Sequence, residues 1–142
     1  MRSDFDIRIV ELMQLSEQWY PNKKFKHALR VACYASDAAL KYPEVSSTDA
    51  FLVGLAHDLI EDTECPQDQL EEILGQELFN AILNLTKDDK ESYQEYIERV
   101  IETKDDLTIL VKRADMKDHM SQLDTLTDKL KDKYLPVLHY FL

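Results

Sequence analysis

At 142 residues the chain has the size of one domain, with room for a single core and little for a second. Its 28 acidic residues against 17 basic give a net charge of -11. That balance argues against a nucleic-acid partner, whose affinity rests on Lys and Arg contacts to phosphate, and against an anionic membrane surface. It leaves room for a small anionic substrate held by a metal and a few local cations.

Only two glycines and four prolines interrupt the chain, so long helices are expected. A first helix is predicted over Asp4–Trp19, with Ser3 and Asp6 as a capping-box-like start and Pro21 as its stop. A second, Lys24–Tyr42, carries His27, Val31, Tyr34, Ala35 and Ala38 at helical spacing and ends before Pro43. The third starts near Ser47 or Thr48 and carries the acidic cluster described below. Pro66, at a first helical position, opens a short helix closed by Gly75, and another spans Gln76–Leu85. Ser92 and Glu95 form a capping box ahead of Tyr96, Val100 and Ile101. Helices over Asp105–Leu123 and Asp128–Phe141 complete the chain. Leu107–Val111 is the one strand-like run, too short to build a sheet. The expected fold is an all-α, single-domain bundle over 1–142, of about seven to eight helices.

Cys33 and Cys65 show no ligand or redox spacing, and Cys33, inside an apolar helical run, is expected in the core. No apolar run reaches the roughly 18 residues of a membrane helix, and Met1–Asp6 does not resemble a signal peptide. A cytoplasmic location is expected.

The most informative stretch is Leu-Ala-His-Asp-Leu-Ile-Glu-Asp-Thr, residues 55–63. On a helix Glu61 lies four residues beyond His57, and Asp62 four beyond Asp58, so all four side chains share one surface. An imidazole and three carboxylates together can bind a divalent cation and position a water on it. A solvated acidic face fits poorly, because Phe51, Leu52, Val53, Leu55, Ala56, Leu59 and Ile60 make the segment apolar, and buried ionisable groups need partners. Further ligands must come from other elements. Of the four histidines, His27 precedes an apolar run, and His119 follows Asp115 by one helical turn. His139 is expected to pack or to be solvated.

Taken together, His27, the His57-Asp58 pair and the distant Asp115 reproduce a known signature. The chain resembles the HD-domain metal-dependent phosphohydrolases. Within them, His-Asp-Leu-Ile-Glu-Asp-Thr, then Leu-Thr-Lys and Val-Lys-Arg-Ala-Asp, is similar to the hydrolase domain of the RelA/SpoT family, in particular its small alarmone hydrolases. The resemblance runs from about Lys23 to Tyr134. It implies that His27, His57, Asp58 and Asp115 bind one divalent ion, typically Mn²⁺, and that Glu61 and Asp62 form the acid/base pair that activates water. No histidine lies between Asp58 and Asp115, where binuclear relatives place extra ligands, so one metal is expected.

Departures fall on the substrate side. The stretch Tyr20-Pro21-Asn22-Lys23-Lys24-Phe25-Lys26 is shorter and richer in lysine than the family's arginine-containing loop, and lysine lacks the two-pronged phosphate contact of arginine. The family's Ala-Asp-Arg-Leu-His-Asn is here Ala114-Asp115-Met116-Lys117-Asp118-His119. Lys24, Lys87, His119 and Tyr134 are the candidate substrate contacts. The resemblance implies hydrolysis of the 3′-pyrophosphate of ppGpp or pppGpp. The alternatives are another mononuclear HD enzyme (a nucleoside 5′-monophosphatase or an adenosine-alarmone hydrolase) or an inactive module that senses a nucleotide or binds a partner. Intact Glu61 and Asp62 speak against the last.

Overall fold

The computed structural model describes residues 6–122 and 127–141, and within them the chain is all-α. The first helix, α1 (Ile7–Trp19), is capped by Asp6, whose carboxylate accepts the Arg8 N–H. Ser3 and Asp4, expected to open it, lie outside the described residues. Pro21 then precedes α2 (Asn22–Ala39). Ser46 caps α3 (Ser47–Ala56) by accepting the Asp49 N–H, and α4 (Leu59–Asp62) follows after a break.

Between α5 (Gln67–Leu74) and α6 (Gln76–Asn84) stands Gly75 at φ 82, a left-handed conformation that glycine adopts without a Cβ penalty. The expected capping box of Ser92 and Glu95 starts α7 (Tyr93–Glu102). Asp105 caps α8 (Asp106–Ser121), which contains Leu107–Val111 as helix; its expected end at Leu123 is outside the described residues. The last segment, expected as one helix, is α9 (Asp128–Tyr134) followed by a 3₁₀ segment (Leu135–Phe141). Pro136 has no N–H to continue an α ladder, which favours the tighter turn. Nine α-helices therefore stand among the described residues, one more than the eight expected, because the acidic-cluster helix divides in two.

Two apolar clusters share α8. Leu110, Val111 and Ala114 pack into the larger one with α1, α2, α3, α5 and α6, while Met116 packs with Tyr96, Ile97, Val100, Tyr134 and Val137. The α2–α3 pair is the centre of the larger cluster. Along α2 the buried stripe is Ala28, Val31, Ala32, Ala35 and Ala39, small side chains that let α3 come close. A Cβ on Gly54 would lie 2.9 Å from the Ala32 Cα. Cys33 lies off that stripe and is exposed, contrary to the expected core position; Cys65 is buried. Among the described residues no helix is long and apolar enough to cross a membrane.

Candidate active site

Helix α3 ends at Ala56, immediately before the two residues that matter most. His57 keeps helical dihedrals (φ -57, ψ -29), but Asp58 moves to φ -105, ψ 0, the sparsely occupied bridge region where many active-site residues sit. The stretch 55–63 is thus not one continuous helix as its periodicity suggests. Tyr20 splints the break: its hydroxyl donates to the Leu55 carbonyl at 2.8 Å and accepts the Asp58 N–H at 3.2 Å. The turn from Asp58 to Asp62 survives, with the Asp62 N–H donating to the Asp58 carbonyl at 2.9 Å.

His27, His57, Asp58 and Asp115 come together from α2, the break and α8, each offering one ligand atom, all within 4.8 Å of one another. His27 Nε2 is 2.9 Å from Asp115 Oδ1 and 3.8 Å from Asp58 Oδ2. His57 Nε2 is 3.3 Å from Asp115 Oδ1 and 3.1 Å from Asp58 Oδ2. Ligands about 2.1 Å from a six-coordinate ion stand roughly 3 Å apart along an edge and 4 Å across, so these four atoms stand close to the spacing of one coordination sphere. Two imidazoles and two carboxylates suit a divalent transition metal. The His57 ring is preset for that task, because its Nδ1 lies 2.6 Å from the Gly54 carbonyl, which fixes the hydrogen there and turns Nε2 to the cluster.

Electrostatics keep the cluster poised. Burial pushes the Asp115 carboxyl up, but the Lys112 ammonium and then His57 outweigh it and hold the group well below the usual carboxylate range. Lys112 Nζ lies 2.7 Å from Asp115 Oδ2, the two residues being 7% and 4% exposed. Burial also opposes charge on His57, yet Asp58 and Asp115 raise it well above an ordinary histidine. Two carboxylates facing two imidazoles in a buried setting are a donor set that suits a divalent cation.

Glu61 and Asp62, on α4, edge the cavity beside the cluster. Glu61 Oε1 accepts the Lys87 N–H at 2.8 Å, and burial raises the Glu61 carboxyl. Asp62 is paired with Lys24 at 2.8 Å. His119 brings Nε2 to 3.3 Å from Asp115 Oδ1, and its ring stacks on that of Tyr134 at 5.5 Å and 21°. All ten candidate residues except His57 line one cavity of about 780 Å³. Beside Lys24, that cavity is walled by Lys23, Lys26 and Arg30 of α2, by Lys87, and by Lys112 and Lys133. In a chain of net charge -11 this is a local reversal of sign.

Sequence reasoning missed several supporting residues. Asp118, 1% exposed, lies 2.6 Å from His27 Nδ1 and takes a forked contact from Arg30. Lys112 was visible one turn before Asp115, a spacing that favours an ion pair. Tyr20 and Lys133 gave no local signal. His139 is exposed, its ring beside Tyr140.

A family model for the HD domain matches residues 25–120. Comparison with curated proteins finds no match. Among solved structures the chain is similar to one described as a metazoan ortholog of SpoT that hydrolyzes ppGpp and plays a role in starvation responses. The TM-score is 0.73 and the identity 19%, over 98% of this chain and 85% of that one. At that identity the likeness is one of fold.

Proposed function

The chain belongs to the HD-domain family, and on that premise we propose that it is a single-domain, metal-dependent phosphohydrolase of the cytoplasm that removes the 3′-pyrophosphate of ppGpp and pppGpp. The observation that carries this reading is the cation-walled cavity opening on the four-ligand cluster, with Glu61 and Asp62 at its edge. Its volume of about 780 Å³ is that of a small-molecule site, and its charge suits a substrate with several phosphates rather than a neutral one. The net charge of -11 sets nucleic acid aside as a partner.

His27, His57, Asp58 and Asp115 hold the ion, with Mn²⁺ as the proposed occupant on the resemblance to RelA/SpoT hydrolases. Bound there, it supplies positive charge against phosphate oxygens and acidifies a water. Glu61 takes the proton of the attacking water; burial makes it a stronger base than a solvated glutamate. Asp62, anchored by Lys24, orients that water. The water oxygen forms a bond to the phosphorus on the ribose 3′ oxygen, the bond from that phosphorus to the 3′ oxygen breaks, the 3′ oxygen takes up the proton that Glu61 collected, and GDP or GTP and pyrophosphate separate. Lys24 and Lys87 hold phosphate oxygens, and His119 and Tyr134, stacked on each other, contact the nucleoside from one side.

Purified, Mn²⁺-loaded protein assayed against a nucleotide panel, with phosphate and pyrophosphate read separately, tests this. Pyrophosphate from ppGpp is expected. Orthophosphate from nucleoside 5′-monophosphates would make the protein a nucleotidase, turnover of adenosine alarmones alone would change the base, and binding without turnover would make it a nucleotide sensor.

A further inference from the structure

We propose that Asp118 is a positioning residue of the metal centre: clamped by Arg30, its buried carboxylate holds His27 with Nε2 facing the ion and makes that imidazole the stronger of the two nitrogen donors. The inference rests on the metal-binding part of the reading above and not on the identity of the substrate.

His27 has two polar atoms, and both are committed. Nε2 faces the cluster, 2.9 Å from Asp115 Oδ1. Nδ1 faces away, 2.6 Å from Asp118 Oδ2. A carboxylate can only accept there, so the Asp118 contact keeps the hydrogen on Nδ1, and Nε2, which faces the carboxylates of the cluster, is the nitrogen that would give up its hydrogen to bind a metal. Asp118 is 1% exposed, and a carboxylate so buried is retained with charged or hydrogen-bonding partners. Arg30 supplies them, with Nε 2.7 Å from Oδ1 and Nη2 3.1 Å from Oδ2, the two-pronged geometry that fixes a carboxylate plane as well as its charge. The fork ties α2 to α8 across the site, one helical turn from His27 on α2 and three residues from Asp115 on α8.

The contrast with the second imidazole sharpens the argument. His57 donates from Nδ1 to a neutral acceptor, the Gly54 carbonyl, at 2.6 Å. Both rings are oriented, but only His27 leans on an anion. An anionic acceptor pulls on the Nδ1 hydrogen more strongly and leaves more electron density at Nε2, which raises ligand basicity. Arg30 also lines the cavity, so the same fork connects the cavity wall to a metal ligand.

Calorimetric Mn²⁺ titration of metal-free protein, with imidazole ¹⁵N shifts of the Zn²⁺-loaded form, tests the proposal on Asp118→Asn and Asp118→Ala. The amide variant keeps an acceptor and loses the charge. It is expected to retain ligation through Nε2 and to bind Mn²⁺ some 10–100-fold more weakly, the range for outer-shell partners of metal ligands. The alanine variant is expected to lose at least as much affinity and also the single Nδ1–H form of His27. Mn²⁺ affinity within about twofold of wild type in both, against that 10–100-fold expectation, overturns the proposal and leaves Asp118 a structural ion-pair partner. If neither variant folds, Arg30→Gln decides, because it keeps the carboxylate and removes its clamp: weaker Mn²⁺ binding supports the proposal, and unchanged binding overturns it. Wild-type protein that binds no divalent ion overturns the metal reading itself, a result distinct from unchanged variants.

Discussion

Replacing Gly54 by alanine sets two effects of opposite sign against each other at the α2–α3 contact. Helix propensity favours the change by about 1 kcal/mol, since glycine inside α3 has backbone entropy to lose. Packing opposes it. The new Cβ would stand 2.9 Å from the Ala32 Cα, 3.2 Å from its nitrogen and 3.3 Å from the Val31 carbonyl carbon, whereas ordinary contact begins at 3.4 Å. These are backbone atoms of a neighbouring helix, so no side chain can swing aside, and the helices must part by about half an ångström. Overpacking of this kind costs roughly 1–3 kcal/mol, and a rigid neighbour places it near the top of that range. A net loss of about 1–2 kcal/mol is expected. The same displacement separates His27 on α2 from His57 at the end of α3, while a metal tolerates about 0.2 Å in its ligand distances. Urea unfolding of metal-free protein followed by circular dichroism reads the first effect, and Mn²⁺ titration the second. Unchanged stability with unchanged metal affinity would refute the argument that this contact sets the dimensions of the centre.

Three other outcomes follow from the site. Glu61→Gln should retain the ion and lose about two to four orders of magnitude in kcat, the contribution of a positioned base. Burial raises the Glu61 carboxyl, so wild-type activity should fall on acidification at a pH above that of an ordinary glutamate, and a variant that keeps that acidic limb excludes Glu61 as its source. Lys112→Met should cost about 3–5 kcal/mol, because it strips the buried Asp115 Oδ2 of its ammonium partner; a loss under about 1 kcal/mol would mean the pair contributes no more than an exposed one. Metal-free protein should be most stable in mild acid. His57 is raised in the folded state, so its contribution is complete below the unfolded value of about 6.5 and is lost as pH climbs through the folded one. Asp115 is lowered, so its contribution is complete above about 3.9 and is lost as pH falls through the folded one. Saturating Mn²⁺ should reverse the alkaline trend, since ligands bind metal unprotonated; urea midpoints across pH, with and without the ion, would show no such crossing if the cluster were merely an ion-pair network.

What the sequence made legible was local. Ser92 with Glu95, Pro21 and Gly75 mark helix ends by chemistry that acts within four residues, and each marks an end in the structure. The cluster of His27, His57, Asp58 and Asp115 came instead from a pattern shared with known enzymes, because no periodicity relates residues on three elements. The break at Asp58 was invisible for a similar reason. Apolar spacing runs unbroken from Leu55 to Ile60, and the group that stabilises the break is Tyr20, 38 residues from Asp58 in sequence. Asp118 and Arg30 look like ordinary surface charges until α2 and α8 face each other, 88 residues apart.

The opposition in sign between the cavity wall and the rest of the surface gives the protein two electrostatic ranges. A phosphate-bearing molecule at a distance meets a body of net charge -11 and is slowed on approach; only at the mouth does it meet lysines. Dissolved salt acts on these ranges unequally. The far repulsion extends beyond the Debye length of about 8 Å at physiological ionic strength and is screened away first, while the close grip inside the cavity is screened much less. Encounter rate and retention therefore respond to ionic strength in opposite directions, and kcat/KM should pass through a maximum as salt is added. An enzyme drawn to its substrate by its whole surface would instead slow steadily.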